Sequence, residues 1–177
     1  RATERTHEAV VALETMGQEY DLIIMLQGDE PCITGPMVEA QISWHEENNV
    51  NAASNIVGPI TSREDFLDPN TIKCAVTDNG QIVFLSRSPI LSDSGIGGQN
   101  LRRQVCSIGF PRKTLDTFVT LGESSLEKLE SIDLLRLVEA GHQIYAISTS
   151  SVTHPVDTPS DIPRVERILN EIREPGL

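Results

Sequence analysis

The run Asp21-Leu-Ile-Ile-Met-Leu-Gln27-Gly28-Asp29-Glu30-Pro31 constrains the fold more than any other segment, because an uninterrupted apolar stretch passes directly into a turn bearing two carboxylates. A short apolar run bounded by turn signals reads as a strand covered on both faces, and open α/β sheets bind ligands just beyond the carboxyl ends of such strands. Gly28 leaves room for a ligand to approach the backbone, and Pro31 stops the strand. Two readings stand at this point: an acid delivered to a crevice, or a surface turn with two solvated acids.

The remaining chain alternates between helical and extended patterns. Val10, Leu13 and Met16 fall at helical spacing before Gly17, and Thr34 with Pro36 opens a helix that closes at Asn48-Asn49. Asn51 to Val57 reads as a strand, and Pro59 to Asn70 as a polar connection. Ile72 to Thr77 and Gln81 to Leu85, joined through Asp78-Asn79-Gly80, predict a β-hairpin. Ser92 to Gln99 reads as a Gly/Ser-rich surface loop, with a lid as the other possibility. Val105 to Phe110 is a further strand. Leu126, Leu129, Ile132, Leu135 and Val138 lie at helical spacing and predict one amphipathic helix over Ser124 to Ala140, closed by Gly141. A strand at Gln143 to Thr149 and a helix at Ile162 to Ile172 complete an α/β pattern without repeats or linkers.

In 177 residues a single domain can bury a sizeable core. The longest apolar run, Leu22 to Leu26, is far shorter than a membrane span, and no signal peptide opens the chain, so the expected setting is cytoplasmic with no membrane insertion. Three cysteines, Cys32, Cys74 and Cys106, lack disulfide or zinc spacing and read as buried thiols. The formal net charge of −12 argues against nucleic acid as a partner. Any polyanionic substrate would then need divalent metal or scarce cationic groups.

A second candidate segment is His154-Pro155-Val156-Asp157-Thr158-Pro159-Ser160-Asp161. Thr158 as N-cap, Pro159 as first helical residue and Asp161 closing a capping box account for three of these residues by local structure. Asp157 is left over, at a strand's carboxyl side, where it could face Asp29 as a second carboxylate. Such a pair suits Mg²⁺, which binds through one or two acids together with substrate phosphates. Arg87, Arg102 and Arg103 flank the Gly-rich loop and favour an anion. The four scattered histidines show no metal-ligand spacing.

These residues, taken with Thr3-Glu4-Arg5, Asp68-Pro69-Asn70, Lys73, Ser86-Arg87, Pro89-Ile90, Ser124-x-Leu126-Glu127, Leu135-Arg136 and Val156-Asp157-Thr158-Pro159-x-Asp161, resemble the CMP-Kdo synthetases, the 3-deoxy-manno-octulosonate cytidylyltransferases. The resemblance implies a Rossmann-like, mostly parallel sheet of the nucleotide-diphospho-sugar transferase type. It also implies a small inserted antiparallel sheet over residues 70–91 that serves homodimerisation. The implied reaction transfers CMP from CTP to an acidic 2-keto-3-deoxy sugar and releases pyrophosphate. By resemblance Asp29 and Asp157 are catalytic and hold Mg²⁺, while Arg5, Gln27, Arg87, Arg103, Gln104 and Asp133 contact substrate. The family's initial strand and basic loop have no counterpart here, so the chain by itself is expected neither to bind CTP nor to transfer CMP. The chain departs from the family on the sugar side, with Gln104 and Ile108 in place of a His and a Tyr and Asp133-Leu134 in place of a Glu-Gln pair, so a related 2-keto-3-deoxy acid is expected as an alternative to Kdo itself. A nucleotidyltransferase-like binding or assembly module without catalysis, and a plain metal-binding α/β domain, are the alternatives.

Overall fold

A computed structural model describes residues 1–173. Within it the order of elements is α1 (Ala2–Thr15), β1 (Leu22–Leu26), α2 (Gly35–Asn48), β2 (Ala53–Pro59), α3 (Arg63–Leu67), β3 (Lys73–Val76), β4 (Ile82–Ser86), β5 (Leu101–Pro111), α4 (Arg112–Leu121), α5 (Ser125–Glu130), α6 (Leu135–Glu139), β6 (Ile144–Ser148) and α7 (Ile162–Arg173).

One six-stranded mixed sheet runs β4-β3-β5-β2-β6, with β1 also paired to β5. By their pairings β1, β2, β3 and β6 share a direction while β4 and β5 run against it, so most strands are aligned as the sequence pattern predicts. Only β2–β6 is a parallel ladder, because β5 lies between the others. The hairpin is therefore not a detached small sheet. It joins the main one through β5, which extends well beyond the expected Val105–Phe110.

That long strand organises the molecule. Along one edge β2 pairs with it; along the other, β3 occupies its first residues (Lys73 opposite Arg103) and β1 its last (Leu26 opposite Ser107). The stretch between the two partners faces no strand on that edge. On the β2 side the register shifts between Asn55 and Val57, whose partners are Ile108 and Gln104, so Val105, Cys106 and Ser107 bulge past Ile56 alone. Bulges of this kind bend a strand and re-aim its side chains.

Local signals explain several elements. Thr34 is extended before α2 with proline in the first turn, and Asn49 ends it in the left-handed region at φ 46°. Gly80 at φ 82° makes the hairpin turn, with its N–H donating to Thr77 O at 2.9 Å. Thr158 and Asp161 form the expected capping box, on a short 3₁₀ turn leading into α7.

The helix expected over Ser124 to Ala140 is in fact two, α5 and α6. Ser131 takes a left-handed conformation at φ 57°, and Leu129 of the supposed apolar stripe is 82% exposed. Tertiary contacts enforce the break. Glu127, fully buried, caps α5 and binds Arg136 of α6, whose Nε and Nη2 donate to its two carboxylate oxygens at 2.7 and 2.8 Å. Helices α3 and α4 lie in segments for which no helix was expected. The Gly-rich loop is pinned rather than free: Gly97 N–H donates to Ile60 O at 2.9 Å, and Ile96 packs against Ile60, Phe66 and Leu101. The main core lies between the sheet and α1, α4, α5 and α6, with Phe110, Phe118, Leu115 and Leu134 fully buried.

Candidate active site

A cleft opens at the unpaired stretch of β5, between the carboxyl end of β1 and the start of β3. Gln27, Asp29, Glu30, Arg87, Arg103, Gln104, Cys106, Ile108, Asp133 and Asp157 are among its lining residues. Every candidate named from sequence except Arg5 and Arg102 is thus brought to one place. Arg5 is exposed on α1 and borders an adjoining groove with Thr6, Leu26 and Gly28, sharing Gln27 and Asp29 with the cleft.

The acid turn is built from β1 outward. Gln27 N–H donates to Cys106 O at 3.2 Å and so closes the β1–β5 ladder, after which Asp29 stands exposed and Glu30 turns inward. Val156 N–H donates to Asp29 O at 2.8 Å, which ties the segment after β6 to this turn and sets Asp157, also exposed, into the same cleft. Burial and then the charge of Asp29 raise the pKa of Asp157. At Gly28 an added Cβ would meet nothing within 4 Å, so the backbone there borders open space.

Glu30 was not singled out by the sequence, yet it is 5% exposed beneath the cleft. Its Oε1 accepts from Cys106 N–H at 3.2 Å, while Oε2 is enclosed without a partner. Desolvation raises its pKa; Arg103 opposes that shift, and the negative charges of Asp29 and Asp157 add to it. Three carboxyl groups therefore concentrate negative charge at one end of the cleft. Two of them are open to a ligand, an oxygen donor set suited to a hard divalent cation that takes its other ligands from phosphate and water.

The cationic side is more committed. Arg103 donates through Nη2 to the backbone oxygen and hydroxyl of Thr153, and burial lowers its pKa. Arg87 donates from Nε to Glu130 O at 2.9 Å and from Nη1 to Pro69 O at 3.1 Å. Arg102 does not line this cleft, and its Nη2 donates to Thr149 O at 3.0 Å. Asp133 does line it, but Oδ2 accepts from the hydroxyl and N–H of Thr3 at 2.9 and 3.3 Å, which fastens α1 to the α5–α6 turn. Cys106, expected to be buried, is half-buried on the cleft wall; all three cysteines are free. Among the described residues no group of three or more His, Cys, Asp or Glu side chains could hold a metal ion, and no helix is long and apolar enough to cross a membrane.

A family model described as Cytidylyltransferase matches residues 1–144. The 3-deoxy-manno-octulosonate cytidylyltransferase of Syntrophotalea carbinolica is 32% identical over 176 residues, covering 94% of this chain and 68% of that protein. That of Thermodesulfovibrio yellowstonii is 33% identical over 177 residues, with 95% and 69% covered. The mitochondrial protein of the same name from Arabidopsis thaliana is 30% identical over 173 residues, with 96% and 58% covered. A solved CMP:2-keto-3-deoxy-manno-octonic acid synthetase complexed with CTP matches at a TM-score of 0.81 and 27% identity, covering 97% of this chain and 69% of that one. The chain spans about two thirds of the length of the bacterial relatives named here. Agreement in sequence over most of the chain, and in fold over nearly all of it, leads to one conclusion: the chain belongs to the cytidylyltransferase family.

Proposed function

We propose that the cleft activates an acidic 2-keto-3-deoxy sugar, Kdo or a relative, by transferring CMP from CTP directly to the sugar. A sugar hydroxyl attacks the α-phosphate, a new P–O bond forms, the bond to the bridging oxygen breaks, and pyrophosphate leaves. The observation that carries this reading is the convergence of Asp29 and Asp157 on one cleft, tied by the Val156–Asp29 backbone bond. Asp29 and Asp157 would hold Mg²⁺, which when bound draws charge from the phosphates of a triphosphate that this acidic protein would otherwise repel. Gln27, Gln104 and Arg103 line the sugar side; Arg5, in the adjoining groove beside Asp29, serves the nucleotide.

The test is pyrophosphate release from CTP and Mg²⁺ with 2-keto-3-deoxy-manno-octonic acid by the chain joined to the initial strand and basic loop of the family, with the CMP-sugar identified by mass. No release with this acid or its close analogues would reject the reading. A second reading, a nucleotidyltransferase-like module without catalysis, is favoured by the commitment of Arg87 and Asp133 to internal partners. Binding of CTP without turnover would select it.

A homodimer through residues 72–90 is part of the same proposal. β4 is an end strand of the sheet, bridged to β6 just before it at Gln81–Tyr145, and Val83 on it is 45% exposed. Val83→Lys should shift the protein toward monomer in light scattering. A wild type that stays monomeric well above micromolar concentration would overturn the dimer.

A further inference from the structure

The bulge in β5 frees backbone groups that a regular ladder would pair, and each must find another partner. Cys106 gives its N–H to Glu30 and its carbonyl to Gln27. On the opposite edge one side chain serves two carbonyls: Asn55 Nδ2 donates to Val105 O at 2.7 Å and Ser107 O at 2.9 Å. Asn55 is fully buried. Turning its amide over would press Oδ1 against two carbonyl oxygens, so its orientation is dictated by the bulge.

The next link follows from the same logic. With Nδ2 spent on the backbone, Asn55 offers only an acceptor, and Gln104 Nε2 donates to Asn55 Oδ1 at 2.9 Å. The Gln104 amide is thereby oriented as well. Its Oε1 accepts nothing from the described residues and is not among the enclosed, unpartnered polar atoms, so it opens on the cleft that Gln104 lines.

We propose that Asn55 is a positioning residue that fixes the polarity of Gln104, so that the sugar side of the cleft presents a hydrogen-bond acceptor and selects a substrate group that donates, a hydroxyl or an ammonium. The inference rests on reading the cleft as the site of a sugar substrate. A free glutamine could turn to suit a donor or an acceptor; one held by Asn55 accepts only.

Two measurements test it. In side-chain amide NMR of the labelled chain, the Asn55 and Gln104 amide protons should exchange at least about tenfold more slowly than those of exposed amides such as Asn79, with a cross-peak linking the two groups. In Asn55→Ser the Gln104 protection should disappear. Exposed-like exchange at Gln104 in the wild type would overturn the proposal. The second measurement compares 2-keto-3-deoxy-manno-octonic acid with analogues in which each hydroxyl other than the attacking anomeric one is in turn replaced by fluorine, which has no proton to donate. At one position kcat/KM should fall by about tenfold or more in the wild type, and that penalty should shrink to about threefold or less in Asn55→Ser and in Gln104→Met. A penalty that persists in both variants would overturn it. Should Asn55→Ser not fold, Gln104→Met leaves the bulge intact and decides. Absence of turnover by the wild type with every probe would reject the activity, while amide protection would still judge the polarity of Gln104.

Discussion

The N–H of Val156 donates to the carbonyl oxygen of Asp29 at 2.8 Å, and through this bond the loop after β6 delivers Asp157 to the turn after β1. Because backbone rather than side chain makes the link, either carboxylate can be changed without undoing it. Asp29→Asn and Asp157→Asn should each lower CMP transfer by about 100-fold or more, since each removes an oxygen donor proposed to hold the metal. Thermal midpoints should be unchanged or slightly raised, because Asp29 already disfavours charge on Asp157. Near-normal turnover by either variant would remove that residue from the reaction.

A buried polar cluster imposes the strictest size limit in the fold. Gly109 faces Ser54, His45 and Gln41, and a Cβ built on it would stand 2.5 Å from Ser54 Oγ and 2.8 Å from His45 Nε2. Those groups are bound to one another, with His45 Nε2 2.8 Å from Ser54 Oγ and Gln41 Nε2 donating to Ser54 Oγ at 2.9 Å, so none retreats freely. Gly109→Ala should therefore cost about 2 kcal/mol or more, measured as a lower urea midpoint at unchanged slope. Wild-type stability in this variant would show that the cluster yields.

What the sequence revealed and what it concealed divide along the range of the interactions involved. The acid turn, the Asp78-Asn79-Gly80 hairpin, the Thr34–Pro36 helix start and the Thr158–Asp161 box are each specified within a few residues, and each appears in the structure. A helix over Arg112–Leu121 also carried a local signal, in Pro111 followed by Leu115, Phe118 and the stop at Gly122, but none was drawn from it. The bulge, the sharing of one β5 edge by β1 and β3, and the role of Asn55 depend on partners distant in sequence, about thirty residues away for β3 and about fifty or more for the others. Periodicity carries no trace of them. The single helix over Ser124 to Ala140 failed partly for the same reason, since the Asp133–Thr3 lock spans 130 residues, and partly because the nearer Glu127–Arg136 pair, nine residues apart, outweighed the apolar spacing.

Arg136 is the largest fully buried charged side chain of the α-helical layer and holds it together. It grips Glu127 with two donors, reaches Glu4 Oε1 on α1 at 2.9 Å, donates from Nη1 to Phe118 O at 3.2 Å, and lies 4.0 Å from the Phe118 ring centroid. Arg136→Ala would leave the buried Glu127 carboxylate with Arg1, whose Nε lies 2.9 Å from Oε1, as its remaining charged partner, and should cost about 3 kcal/mol by chemical denaturation. Arg136→Lys should recover only part of this, because one ammonium cannot reproduce the planar fork. Equal stability of Arg136→Lys and the wild type would show that charge alone suffices.

His45 makes stability depend on pH in a direction that can be derived. Its ring is buried against Ser54 Oγ with no carboxylate among its hydrogen-bond partners, and desolvation lowers its pKa below the ordinary histidine value. The unfolded chain takes up the proton near pH ~6.5, whereas the folded chain resists it. The stabilising contribution is thus complete above that pH and is lost as pH falls through it. Glu30 and Asp157, both raised, act with the opposite sign, so the His45 effect is isolated by difference. In urea titrations from pH 7.5 down to 5, stability should drop more steeply in the wild type than in His45→Gln, which can still hydrogen-bond Ser54 but does not titrate. Parallel pH profiles for the two proteins would mean that His45 stays uncharged, or becomes charged, equally in the folded and unfolded states.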